Sequence, residues 1–94
     1  MNMRKYHAAY YEIEDGWYLA EVMDFPGVIS QGRTLRSAKR MIRDALRLMA
    51  EWYVEEGKPL PDPNPRAKPS EGKPAFKEKI PLSIKARTGG VKER

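Results

Sequence analysis

Residues 12–35, which read EIEDGWYLAEVMDFPGVISQGRTL, decide the fold of this 94-residue chain. Two turn signals, Asp15-Gly16 and Pro26-Gly27, separate runs in which apolar and polar residues alternate. Asp and Gly tolerate the positive φ of a tight hairpin, and Pro followed by Gly is typical of a turn. The pattern therefore predicts an antiparallel meander of three strands, over residues 6–13, 17–23 and 28–31.

Beyond Gly32 the spacing of apolar residues changes from that of a strand to that of a helix. Thr34 is a good N-cap residue, and Gly57 followed by Pro59 is a typical helix end. The apolar positions between them are Leu35, Ala38, Met41, Ile42, Ala45, Leu46, Met49, Trp52 and Tyr53. This spacing predicts one amphipathic helix over residues 35–56, with a single buried stripe packed on the sheet.

Changes in composition along the sequence divide the chain into four segments. Residues 1–57 form the predicted core, and residues 58–79 hold six of the eight prolines and are expected to be an extended linker. Residues 80–87 alternate weakly and predict a fourth strand, which Pro81 restricts to a sheet edge. Joined to the same sheet by a right-handed crossover, it would run parallel to the third strand. Residues 88–94 are expected to be disordered.

Composition excludes several classes of protein. The chain has no Cys, a single His and a formal net charge of +5, and none of its apolar runs has membrane-spanning length. His7, Ser30 and Ser83 have no catalytic partners evident in the sequence, and no glycine-rich phosphate loop is present. We therefore expect a cytoplasmic, non-enzymatic α+β protein without metal or cofactor and without membrane contact, one that forms a homodimer or a higher homo-oligomer.

The predicted helix carries a basic stripe opposite its apolar one. Its members are Arg36, Lys39, Arg40, Arg43 and Arg47. Like charges four residues apart repel, and cations near a helix N-terminus oppose the helix dipole, so this face destabilises its own helix. The stripe is a candidate surface for an anionic partner, either nucleic acid or the acidic region of a second copy. A solvated face without a partner is the alternative.

The order of these motifs resembles that of HicB-like antitoxins. The shared elements over residues 4–57 are an aromatic-rich strand, the Asp-Gly hairpin, the AEVxDxPG turn and the SxGxTL helix start. The residues that carry the resemblance are Gly16, Asp24, Pro26, Gly27, Gly32, Thr34 and Leu35. Two features depart from the family pattern: Arg36 and Ser37 stand where acidic residues are usual, and the stretch after residue 80 is too short for a DNA-binding module.

The resemblance implies a truncated RNase H-like fold: a three-stranded meander, one long helix and a possible fourth edge strand. It also implies an antitoxin that covers a small RNA-cleaving toxin of the HicA type. A basic toxin of this kind should be repelled by the basic stripe, so the acidic hairpin of Glu12, Glu14 and Asp15 is the predicted toxin-contact edge. The alternative is a small nucleic-acid-binding or orphan HicB-like regulatory protein that uses the basic helix face, without a recognisable module for binding DNA or RNA.

Overall fold

The computed structural model describes residues 3–83 as one four-stranded antiparallel sheet with a helix across one face. The elements are β1 (Met3–Glu12), β2 (Tyr18–Val22), β3 (Ile29–Gly32), α1 (Leu35–Glu55) and β4 (Phe76–Ser83). The strand order is β3-β2-β1-β4. This arrangement confirms the predicted α+β class, the three-stranded meander and the fourth edge strand. No helix within these residues is long and apolar enough to span a bilayer.

Alternation along the strands places the core between the sheet and α1. Tyr10 of β1 lies opposite Ala20 of β2, and Tyr6 lies opposite Ile80 of β4, so these side chains share the face that the helix covers. The buried residues of this core are Tyr6, Ala8, Tyr10, Ala20, Val22, Phe25, Val28, Ala38, Ile42, Leu46, Ala50, Ile80 and Leu82. Burial of this stripe fixes the register, because a one-residue slip would turn it to solvent.

The start of α1 follows the prediction closely. The Thr34 hydroxyl accepts a hydrogen bond from the Ser37 backbone N–H at 3.0 Å, and the Ser37 hydroxyl completes a capping box. Gly57 adopts φ 72° directly beyond the C-cap residue, where a left-handed residue commonly ends a helix. Met41 and Trp52 were predicted to lie in the buried stripe, and this was wrong: they are 42% and 46% exposed. The buried stripe is narrower than the apolar pattern, because the single sheet covers only the residues that point directly at it.

Strand β4 differs from its prediction in extent and direction. It begins at Phe76 and not at residue 80, which shortens the proline-rich connection to residues 56–75. It pairs antiparallel with β1, with Tyr6 opposite Ile80, and lies at the far edge from β3. The expected parallel relation to β3 is therefore wrong. Residues 84–87 of the predicted strand and the predicted disordered tail at 88–94 lie outside the described residues.

The path of the proline-rich segment explains this direction. After α1 the chain turns around one end of the sheet, where the Tyr6 hydroxyl donates to the Pro61 carbonyl at 2.6 Å. It then crosses the second sheet face and enters β4 beside Tyr10, whose carbonyl accepts from the Ala75 N–H at 2.8 Å. The helix and this segment thus cover opposite faces, and the chain enters β4 from the end at which β1 finishes. The segment is a packed layer as well as a connector.

Candidate functional site

The acidic hairpin lies at the exposed tip between β1 and β2. A short 3₁₀ turn spans Glu14–Gly16, in which Asp15 and Gly16 adopt φ 61° and 78°. The Ile13 N–H donates to the Trp17 carbonyl at 2.8 Å and closes the loop. Positive φ at an Asp-Gly pair was predicted from the sequence, although the loop is longer than a two-residue turn. The backbone therefore presents the acidic side chains from a hydrogen-bonded loop.

The three predicted toxin-contact acids differ in their surroundings. Glu12 accepts a hydrogen bond from the Tyr18 hydroxyl at 3.0 Å, and this contact raises the pKa of Tyr18. Among the described residues, Glu14 and Asp15 take part in no ion pair, and both are exposed. Arg33 lies over the Trp17 ring, 5.3 Å from its centroid, at the base of the tip. Two free carboxylates are thus available to a cationic partner.

The basic stripe is only partly free. Lys39 and Arg43 reach Glu78 of β4, at N–O distances of 3.9 and 3.4 Å, and Lys39 also lies over the Phe76 ring. Burial first, and then the hydrogen bond to Glu78, raise the pKa of Tyr10, whose hydroxyl donates to that carboxylate at 2.6 Å. These contacts join α1 to the edge strand. Two of the five residues of the predicted anion-binding face therefore have a structural role.

The remaining cations of the stripe face solvent. Arg47 pairs with Asp44 and Glu51 on its own helix. Arg36 and Arg40 are exposed and make no ion pair among the described residues. An open groove of about 480 Å³ is lined by Leu35, Arg36, Lys39, Arg40 and Arg43. The groove lies at the start of α1, shortly after Gly32. Gly32 pairs with Tyr18, and Tyr18 pairs with Glu12, so the groove and the acidic tip lie at the same end of the sheet.

The buried carboxylate of Asp24, which lies in the turn after β2, joins segments that are far apart in the sequence. The Asp24 side chain is fully buried and accepts hydrogen bonds from the backbone N–H of His7 and of Asn64, at 2.8 and 2.9 Å. The His7 ring Nδ1 lies 2.7 Å from the same carboxylate. Its partners are 17 and 40 residues away in the sequence, so the hydrogen bonds of Asp24 are not confined to its own turn. Asp24 attaches the proline-rich segment to β1.

A second carboxylate, Glu21, holds the segment further along. It accepts from the Ser70 hydroxyl at 2.6 Å, from the Ser70 N–H at 2.8 Å and from the Tyr11 hydroxyl. Burial by itself would raise the pKa of Glu21, but these three donors outweigh it and bring the pKa below its ordinary value of 4.5. Burial and the bond to Glu21 raise the pKa of Tyr11 to about 12, so Tyr11 stays a donor. We call Asp24, Glu21 and their donors the carboxylate clasp.

Sequence reasoning missed the clasp, although a signal for it exists. Glu21 stands between Ala20 and Val22 in a strand that is buried on both sides, which is unusual for a charged residue without partners. Buried carboxylates require donors, and the proline-rich segment supplies backbone N–H groups at its non-proline positions. Within residues 3–83 no cluster of three acidic or histidine side chains could hold a metal ion.

The clasp predicts a pH-dependent contribution to stability. The folded-state pKa of Glu21 is depressed, so its contribution is fully present above about pH 4.5 and is lost as the pH falls through the folded-state value. At pH 7 the Glu21→Gln variant should lose about 2 kcal/mol of unfolding free energy, since charged hydrogen bonds become neutral ones. Urea titrations of both proteins from pH 7 to pH 3 should show this difference shrinking. A difference independent of pH would contradict the assignment.

Three comparisons with known proteins agree with this architecture. Residues 3–61 match the family model described as UPF0150-like. Antitoxin HicB 1 of Photorhabdus laumondii is 36% identical over 64 residues, which make up 68% of this chain and 41% of the relative. The chain thus spans about two fifths of the length of that curated relative.

The crystal structure of the N-terminal domain of Burkholderia pseudomallei antitoxin HicB shares the fold. It superposes with a TM-score of 0.61 at 21% identity, covering 86% of this chain and 98% of that domain. At this level of identity the likeness concerns the fold alone. Since the family model covers well over half of the sequence, and the motifs of residues 12–35 lie within the matched region, this chain belongs to the UPF0150-like family.

Proposed function

We propose that this chain acts as an antitoxin and neutralises a HicA-type, RNA-cleaving toxin by occlusion. Family membership and the 36% identity to a relative named Antitoxin HicB 1 support this role. In this mechanism the antitoxin supplies no chemistry. It lies over the RNA-binding surface and the catalytic group of the toxin, so that RNA has no access while the complex persists.

The acidic hairpin tip is the observation that best supports a place for this contact. A toxin that binds RNA needs a basic surface, and charge complementarity speeds the encounter and selects the orientation of the two proteins. Glu14 and Asp15 are exposed on a loop closed by a backbone hydrogen bond, so little conformational entropy is lost when they bind. Glu12 extends the acidic surface along the end of β1.

The basic groove on α1 supports a second candidate function, contact with nucleic-acid phosphates. Arg36 and Arg40 have no ion-pair partner among the described residues and are free to contact phosphates. Lys39 and Arg43, in contrast, already pair with Glu78. Two free arginines give a weak electrostatic footprint, because nucleic-acid affinity grows with the number of phosphates neutralised. The antitoxin role is therefore the function that we favour.

Charge neutralisation at the tip tests the proposed contact. A HicA-type toxin would be induced in cells together with this chain. Wild type should restore growth, and the double variant Glu14→Gln with Asp15→Asn should weaken binding of the purified toxin by about tenfold, corresponding to about 1.4 kcal/mol. Asparagine tolerates the positive φ at position 15, so the loop should stay folded.

Two matched controls separate the alternatives. Glu56→Gln removes an exposed acid at the far end of α1, and it should leave toxin binding unchanged. Arg36→Gln removes a free cation of the groove and should also leave it unchanged. Full binding by the tip variant, together with loss in Arg36→Gln, would assign toxin contact to the basic face and contradict the proposal.

A further inference from the structure

Helix α1 exposes an apolar flank that the sheet does not cover. Met41, Leu48 and Trp52 are 42%, 58% and 46% exposed, and at about 100° per residue they fall within an arc of roughly 40°. Lys39 and Arg43, which reach β4, lie on the opposite flank of the helix. The apolar flank of Met41, Leu48 and Trp52 therefore lies toward the β3 edge of the molecule.

The charges of α1 are arranged in the order that disfavours an isolated helix. Arg36, Lys39, Arg40 and Arg43 occupy the N-terminal half, and Glu51 and Glu55 lie near the C-terminal end. The first turn has no acidic residue and the last turn has no basic one. This order opposes the helix dipole at both ends. The same order becomes favourable when an antiparallel helix lies alongside, because each basic half then meets an acidic half.

We infer that the apolar flank binds the same flank of a second copy of this chain, with the two helices antiparallel about a two-fold axis. An axis midway between Met41 and Trp52 brings Met41 of one copy against the partner's Trp52 and places Leu48 beside the axis. This axis runs perpendicular to the plane that contains the two helices, so the solvent sides of both helices lie on the same side of the pair. Arg40 then lies within about one helical turn of the partner's Glu51 and Glu55.

Charge complementarity favours a second copy over an unrelated partner for this surface. Arg40 and Glu55 are without ion-pair partners among residues 3–83 of the single chain. In the two-fold arrangement Arg40 of each copy pairs with Glu55 of the other, so the ion pair forms twice in the dimer. The interface is formed by α1 and the proposed toxin contact by the loop between β1 and β2, so self-association and toxin contact use different residues. Three side chains supply only part of the roughly 800 Å² that each partner buries in a stable interface, so the dimer should be concentration-dependent.

Sedimentation equilibrium of the full chain over a range of concentrations tests the inference. Wild type should approach twice the chain mass, and Leu48→Glu should raise the dimer dissociation constant at least about tenfold, because it would bury an unpaired charge. Val54→Glu is the matched control: Val54 is 52% exposed on the basic flank of the same helix, so the dimer should persist. Circular dichroism should show equal helix content in all variants.

A charge exchange tests the antiparallel arrangement. Arg40→Glu and Glu55→Arg should each weaken the dimer several-fold, and the combined variant should restore it. A wild type that is monomeric at every concentration, or a dimer that survives Leu48→Glu, would overturn the inference. So would a monomer whose toxin binding is lost in Leu48→Glu, since the flank would then belong to the toxin interface.

Discussion

Replacing Asp24 by alanine is expected to lower the free energy of unfolding by about 3 kcal/mol, a large share of the 5–15 kcal/mol typical of a small domain. The substitution removes a fully buried acceptor and leaves the backbone N–H groups of His7 and Asn64 without a partner. The His7 ring Nδ1, which lies 2.7 Å from the same carboxylate, also loses its partner. Urea denaturation followed by circular dichroism measures the loss.

Asp62→Ala is the matched control for this prediction. Asp62 also accepts from a β1 residue, Arg4, at 3.3 Å, but its side chain is 94% exposed. Exposed ion pairs contribute little, so this variant should unfold at the urea concentration of the wild type. Equal midpoints for Asp24→Ala and Asp62→Ala would show that the buried carboxylate does not hold the proline-rich segment.

The second large effect is expected at Gly32, where β3 meets the start of α1. A Cβ at this position would lie 2.5 Å from the Ala38 backbone nitrogen and would also contact the Ser37 hydroxyl. Both atoms belong to the capped first turn of the helix, so relief requires the helix to move off the sheet. Gly32→Ala should therefore lower the unfolding free energy by about 2–3 kcal/mol.

Thermal and urea unfolding of Gly32→Ala, compared with Gln31→Ala, check this prediction. Gln31 lies on the same strand but points to the other sheet face and is exposed, so its truncation should have almost no effect. Both variants place an alanine on β3, one on each face of the sheet. A Gly32→Ala protein as stable as Gln31→Ala would contradict the close approach of α1 to β3.

The parts of the fold that could be predicted rest on local physics. Residues 12–35 contain their own turn signals, and the cap at Thr34 and the stop at Gly57 bound a strongly periodic helix. Each of these features depends on residues within a few positions of one another. The strands of the meander and the bounds of α1 therefore followed from the sequence to within a few residues.

The parts that could not be predicted depend on contacts between distant segments. The start and direction of β4 depend on where the proline-rich segment runs, and that path is fixed by Asp24 and Glu21 through residues 64 and 70. Helical spacing identified the basic face of α1, but it could not show that Glu78 lies opposite two of its cations. It also could not show that a single sheet leaves Met41 and Trp52 uncovered.

The mass of the complex formed on co-expression with a HicA-type toxin tests the central proposal most directly. The account predicts that the two proteins purify together in a defined stoichiometry, that the toxin in this complex cleaves no RNA, and that neutralising Glu14 and Asp15 weakens the complex. Separate elution of the two proteins, with RNA cleavage unchanged by an excess of this chain, would contradict the antitoxin role.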